Sequence, residues 1–262
     1  MEKFQDYELF KTKFYKLSSI DLNLYKEKQM KRRITSLVEK HGFSTYCAFL
    51  EEIKYNHELY NIFINYLTIN VSEFFRNPNQ WELFIKKIIP DIAKSKDLSG
   101  VRIWSSACST GDEPYTLVML LNKFLPLNKI SILATDIDND AIRKAKLGIY
   151  PSRSVKELPD ELLHKYFTKV NNGNYQISEK VRNCVRFRQL NLLRDPYPKN
   201  VDIILCRNVL IYFTEEAKDL IVTEFSNSLA KNGILFIGST EQILNYQKFG
   251  IKPIETFFYQ KI

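Results

Sequence analysis

The segment that most restricts what this chain can fold into is residues 101–115, VRIWSSACSTGDEPY. Val101, Ile103 and Trp104 supply a short apolar strand, and Ser109, Thr110, Gly111 and Asp112 supply small or turn-forming residues where backbone can approach a ligand. Pro114 suits the first turn of a helix, predicted over 113–125. A second strand is predicted over 130–135 and ends in Asp136. In Rossmann-like folds a carboxylate at the tip of the second strand receives ribose hydroxyls, so the pattern points to a nucleoside cofactor. An ordinary strand-turn-helix in an α/β core would carry much of the same pattern without a ligand.

The glycines bear on which cofactor. A dinucleotide fingerprint wants G-x-G-x-x-G with a pyrophosphate against the helix N-terminus. Here only Gly111 is present, and Ser105, Ser106, Ala107 and Cys108 fill the earlier turn. Asp112 and Glu113 at the helix start would repel a pyrophosphate but tolerate the sulfonium and amino group of S-adenosylmethionine. Charge sign therefore favours S-adenosylmethionine over a nicotinamide dinucleotide.

At 262 residues, with 45% hydrophobic and 26% charged residues, the chain is expected to form a sizeable core plus an accessory domain. No apolar run approaches the roughly 20 residues that span a bilayer, and MEKFQDYELF lacks a signal core; a cytoplasmic protein without membrane insertion is expected. Cys47, Cys108, Cys184 and Cys206 form no C-x-x-C pair, and His41, His57 and His164 lie outside the strand ends, so four buried reduced thiols and no metal site are expected.

The formal charge of +8 is unevenly spread. Residues 11–40 hold nine Lys or Arg against three acids, and residues 143–188 hold eleven against four. Two basic surfaces imply an acidic partner, either a nucleic acid or an acidic protein.

Residues 1–67 read as an N-terminal helical domain. In 24–41, Met30, Ile34, Leu37 and Val38 share one face and Lys28, Lys31 and Arg32 the other, with His41-Gly42 as a stop. Another amphipathic stretch runs over 44–66. Residues 68–100 form a connector and a linking helix at 81–93. From 101 to 262 strand-like and helix-like segments alternate, the mark of an α/β fold with a mostly parallel sheet. Strands are predicted at 185–190, 201–206 and 234–238, helices at 138–147 and 214–230, and a terminal hairpin at 251–262. Within this, 151–182 breaks the alternation, and Asn171-Asn172-Gly173-Asn174 between YFTKV and YQIS signals a hairpin, so a small antiparallel β-subdomain is expected there.

Three further blocks, NVSEFFR (70–76), LNLL (190–193) and CRNVLIYF (206–213), stand in order with the opening segment, with ATDID and with a late GSTE. On these motifs the chain resembles, over nearly its whole length, the CheR-type chemotaxis receptor methyltransferases, which esterify glutamate side chains using S-adenosylmethionine. Asp112 stands where the family usually has Glu, and Ser72 where Thr is common; both keep the chemical group. The resemblance implies a Rossmann-like S-adenosylmethionine-dependent methyltransferase sheet. It implies that Asn70, Ser72 and Arg76 reach the cofactor from the connector, that Glu113 faces its methionine part and Asp136 its ribose, and that Asn191 and Leu192 hold the adenine. Arg207, Asn208 and Tyr212 would lie near the methyl group.

The implied chemistry is in-line displacement: a glutamate oxygen attacks the sulfonium methyl and S-adenosylhomocysteine leaves. A carboxylate with a reference pKa of about 4.3 needs no general base at neutral pH, so catalysis would rest on alignment and exclusion of water. Arg76 is the candidate to hold the acceptor carboxylate, with Tyr212 as second positioner. Lys28, Lys31, Arg32 and Arg33 would dock an acid-rich receptor helix in the receptor's cytoplasmic domain. In some members the β-subdomain adds a strand from a receptor C-terminal peptide. A nucleic-acid methyltransferase is the first alternative, disfavoured because no N-P-P-Y-like motif and no Pro-Cys nucleophile occur. A non-catalytic S-adenosylmethionine-binding relative is the second, disfavoured by the intact Arg76, Arg207 and Tyr212. A monomer is expected.

Overall fold

A computed structural model describes residues 4–262, which divide into two compact units: residues up to Asn70 together with Tyr212–Leu220, and Val71–Ile211 with Ile221–Ile262.

In the first unit α1 (Tyr7–Ser18), α2 (Glu27–Lys40), α3 (Tyr46–Tyr55) and α4 (His57–Leu67) pack around aromatic rings. Phe10, Phe14, Phe49 and Phe63 are fully buried, and Phe63 meets Phe14 and Phe49 edge-on at 5.1 and 5.2 Å. The stretch at 44–66 is two helices because Asn56 interrupts it, its side chain accepting the Leu59 N–H to cap α4. Gly42, at φ +80, closes α2 as the His-Gly pair predicts. Residues 212–220 join this unit through an antiparallel bridge between Tyr25 and Phe213, with the Lys26 N–H on the Tyr212 carbonyl at 2.9 Å.

The second unit opens with a continuous helix of three parts: α5 (Pro78–Leu83), one π turn (Phe84–Ile88) and α6 (Ile89–Ala93). It starts three residues before the prediction because Pro78 fits the first turn, where its missing N–H costs nothing. The chain then runs β1 (Ile103–Ser105), α7 (Asp112–Leu121), β2 (Ile132–Asp136), α8 (Asn139–Leu147), β3 (Ile149–Tyr150), α9 (Asp160–Tyr166), β4 (Phe167–Lys169), β5 (Tyr175–Ile177), α10 (Glu179–Arg182), β6 (Val185–Gln189), β7 (Val201–Cys206), α11 (Glu215–Ser228), β8 (Leu229–Ile237), β9 (Ile251–Glu255) and β10 (Phe258–Lys261).

Seven strands form one sheet in the order β6-β2-β1-β7-β8-β10-β9, the first five parallel and the terminal hairpin antiparallel. The order reverses between β1 and β7, which is where open α/β sheets place a ligand, beyond the strands' carboxyl ends. β8 begins at Leu229, five residues before the prediction, because Leu229 pairs with Val201 ahead of an irregularity in the ladder. β3, β5 and β4 form a separate antiparallel sheet, and its first strand lies just before the predicted insertion. Among the thiols, Cys108, Cys184 and Cys206 are buried, whereas Cys47 is only partly so.

Candidate active site

The site grows from the turn after β1. Ser106 donates its hydroxyl to the Leu205 carbonyl at 2.8 Å, and the Cys108 N–H reaches the Thr135 carbonyl at 2.9 Å, so β7 and β2 fix the turn from both sides. Gly111 sits at φ +90, and a Cβ there would stand 2.9 Å from Ala145 Cβ and 3.0 Å from Tyr115 Cε2. Conformation and space both require glycine.

Asp136, at the tip of β2, accepts the Ser109 N–H at 2.7 Å and the Asp138 N–H at 3.0 Å. Burial pushes its carboxyl up to about 6, and those two backbone donors pull against the shift. Asp138 caps α8 through the N–H groups of Asp140 and Ala141. Across the strand ends the Leu190 N–H reaches the Asp136 carbonyl at 2.9 Å, which sets Asn191 and Leu192 beside it. There the Asn191 side chain accepts the Leu193 N–H at 2.9 Å, and Asp195 accepts the Asn191 N–H at 2.8 Å.

Glu113 accepts the Ser105 hydroxyl at 2.8 Å and pairs with Arg207 at 3.4 Å. Burial raises its carboxyl, against the pull of Arg207 and Ser105. Arg207 ties three segments together: its guanidinium donates to the Arg76 carbonyl at 2.8 Å and to Gln80 Oε1 at 2.7 Å, and lies over the rings of Trp81 and Phe236. The connector is thereby held in an unusual form, with Phe75 and Asn77 both at positive φ. Within it the Phe75 N–H reaches the Thr116 hydroxyl at 3.2 Å, and the half-buried Arg76 donates to the Val71 carbonyl at 3.2 Å. Asp112 is fully buried, its carboxyl raised by burial against hydrogen bonds from Thr110 and Ser72.

Of the residues singled out in the sequence, Ser72, Arg76, Glu113, Asp136, Asn191, Leu192, Arg207 and Asn208 thus belong to one connected set in the second unit. Asn70 and Tyr212 belong to the first unit, as do the α2 basic residues. There Lys28 and Arg32 are exposed, whereas Lys31 lies over the Tyr7 ring and Arg33 stacks on Tyr66 at 4.5 Å while donating to its carbonyl.

Sequence reasoning missed Gln80, Trp81 and Glu241. Glu241 is buried, and its carboxylate accepts the N–H groups of Gly238 and Asn208 at 2.7 and 2.9 Å and of Leu210 at 2.7 Å. That grip holds Asn208 at φ +60 just past β7. The late GSTE block was the available signal.

Three desolvated carboxyls, Asp112, Glu113 and Asp136, with pKa values raised by burial, form a set that a cationic ligand would relieve and a pyrophosphate would aggravate. The residues present therefore fit S-adenosylmethionine. A doubly wound sheet with a terminal antiparallel hairpin, an acid-rich glycine turn after the first strand and a carboxylate at the tip of the second define a Rossmann-like S-adenosylmethionine-dependent methyltransferase. More particularly, the chain belongs to the CheR methyltransferase family: the family's S-adenosylmethionine-binding domain matches residues 70–258 and its all-alpha domain residues 5–68. It is similar to a chemotaxis protein methyltransferase of Listeria monocytogenes, 42% identical over 98% of this chain and 97% of that protein. Similar proteins include chemotaxis protein methyltransferase 2 of Vibrio cholerae, 36% identical over 92% and 84% of the two chains, and one of Borreliella burgdorferi, 34% identical over 87% and 85%. Among the described residues no helix is long and apolar enough to cross a membrane.

Proposed function

We propose that this methyltransferase converts glutamate side chains of chemotaxis receptors to methyl esters, with S-adenosylhomocysteine as the other product. The observation that carries this reading is that the carboxyls of the set are already engaged, Glu113 by Ser105 and Arg207, Asp136 by the Ser109 and Asp138 N–H groups and Asp112 by Thr110, so none stands free to take a proton from the acceptor. Burial pushes the Cys108 thiol and the Tyr150 hydroxyl well above their usual range, and the described histidines lie on α4, after α2 and on α9. An acceptor that enters already ionised suits such a site, and a carboxylate is ionised at neutral pH.

Bound S-adenosylmethionine supplies an electrophilic methyl group on a sulfonium. In this reading Asp136 accepts the ribose hydroxyls, Asn191 and Leu192 border the adenine, and Glu113 faces the methionine end. Ser72 supports the same end through Asp112. Arg76 holds the acceptor carboxylate with guanidinium donors not used on Val71, and Arg207 fixes the Arg76 backbone in place. Asn208 completes the positioning. Lys28 and Arg32 draw in an acidic receptor helix, with Lys31 and Arg33 contributing through their remaining surface. Location in the cytoplasm, beside the receptors' inner domains, is implied by that substrate.

The test is transfer of radiolabelled methyl from S-adenosylmethionine to a chemoreceptor cytoplasmic fragment, then treatment with alkali. Volatile, alkali-labile label that vanishes when the receptor glutamates become alanine is the expected result. Alkali-stable label would overturn the ester assignment.

A further inference from the structure

The two faces of the seven-stranded sheet are unequally covered. Phe187 of β6 meets Tyr115 of α7 at 5.8 Å, and the Tyr115 hydroxyl reaches the Ala145 carbonyl of α8 at 2.8 Å, so α7 and α8 share that face. Side chains alternate along a strand, so Arg186 and Arg188 project to the opposite face. Register sets them beside Leu133 and Thr135 of β2, on the side where Trp104 packs against Phe225 of α11 and Tyr197. Parallel strands are normally joined through a crossover helix, yet the link between β6 and β7 contains none. Tyr197 from that link covers Trp104. Leu133 is left only half-buried in the strand next to the edge, and Arg186 and Arg188 are exposed, with no acidic partner among the described residues.

We infer that this strip along β6 and β2 is a second docking surface, and that its occupant is an acidic amphipathic helix of the methyl-accepting protein, seated where the missing crossover helix would lie. The inference rests on the reading under Proposed function. Charge and spacing carry it. Two residues apart on a strand, the guanidiniums are spaced by roughly 7 Å, close to the roughly 6 Å between acids one turn apart on a helix. The acids of the β6–β7 link, of the start of β7 and at Glu224 of α11 are engaged elsewhere: Asp195 takes the Asn191 N–H, Asp202 pairs with Lys96 and Arg102, and Glu224 accepts from Asn227. Arg194, exposed in the link, adds to the positive side. The strip also accounts for part of the basic excess in 143–188 that the cofactor site does not use.

The experiment compares the full chain with the double variant R186E/R188E and the milder R186Q/R188Q. It measures methyl transfer to a receptor cytoplasmic fragment over a range of fragment and salt concentrations, alongside S-adenosylmethionine affinity and Tm. The charge-swapped protein is expected to show a KM for the fragment raised about five- to thirtyfold, with kcat, cofactor affinity and Tm unchanged and a shallower salt dependence of kcat/KM. The glutamine variant should fall between. An unchanged KM would overturn the proposal, leaving the arginines as guards against edge-to-edge pairing. Failure of the unaltered protein to methylate any receptor fragment would instead defeat the functional reading, and the docking proposal with it.

Discussion

Arg207 and Glu113 form an ion pair at 3.4 Å with their side chains only 2% and 13% exposed. In such a setting the mutual attraction of the pair matters less than the penalty of leaving one charge buried alone. Arg207→Ala would strand the Glu113 carboxylate and free the Arg76 carbonyl and Gln80. A loss of roughly 3–5 kcal/mol is expected, seen as a Tm lowered by about 6–20 °C. Arg207→Lys should recover part of it, since an ammonium cannot reproduce the planar fork that reaches Gln80 and the Arg76 carbonyl together. Calorimetry of the three proteins checks this; equal Tm values would mean that Arg207 does not organise the site.

Asp136 should give cofactor binding a pH dependence. Ionised, it accepts hydroxyl donors; protonated, it is a poorer acceptor. With its carboxyl pushed up to about 6 in the free protein, S-adenosylmethionine affinity should be flat above pH 7 and fall up to tenfold per unit as pH drops below about 6. The same raised value has the opposite effect on the free protein. Its contribution to stability is complete below the ordinary carboxyl range and is lost as pH rises through about 6. Asp136→Asn should bind more weakly at pH 8 and lose the acid-limb dependence. Titration calorimetry from pH 5 to 8 decides it.

Gly111→Ala meets two penalties at once. Its φ of +90 is unfavourable for any Cβ, and that atom would press on Ala145, Tyr115 and Tyr150. A loss of about 2–4 kcal/mol is expected, together with weakened cofactor binding, because the strained turn carries the Ser109 N–H that steadies Asp136. A urea melt showing less than about 0.5 kcal/mol would refute this.

What the sequence revealed and what it hid divide along a physical line. The 201–206 strand was readable because, after Asp202, residues 203–206 are a continuous apolar run buried in the middle of a parallel sheet. Asp136 and Gly111 were readable because strand-tip acids and turn glycines obey local rules. Glu241 and Gln80 were not, since their partners lie far along the chain: Glu241 meets Asn208 33 residues away, and Gln80 meets Arg207 127 away. Nothing in local pattern distinguishes such a glutamate from one in a solvated turn. Arg33 shows the same limit, since its place in a basic run gives no sign that the fold lays it over Tyr66.

Glu241 offers the sharpest test of how the end of β7 is held. One oxygen takes the N–H groups of Gly238 and Asn208, and the other takes that of Leu210. A Cβ at position 238 would lie 2.7 Å from both the Asn208 nitrogen and the Glu241 carboxylate, so the pieces fit only with glycine there. Glu241→Gln keeps the size but turns an NH2 toward one of those donors, at a cost of roughly 1–3 kcal/mol for each buried N–H left unpaired. The turn carrying Asn208 at positive φ should then loosen. Hydrogen exchange is expected to speed at the amides of Asn208, Leu210 and Gly238 while that of Ser109, held by Asp136, stays slow, and methyl transfer should fall in step with the loosened turn. Unchanged exchange at those three amides would show that the strand end is held by packing alone.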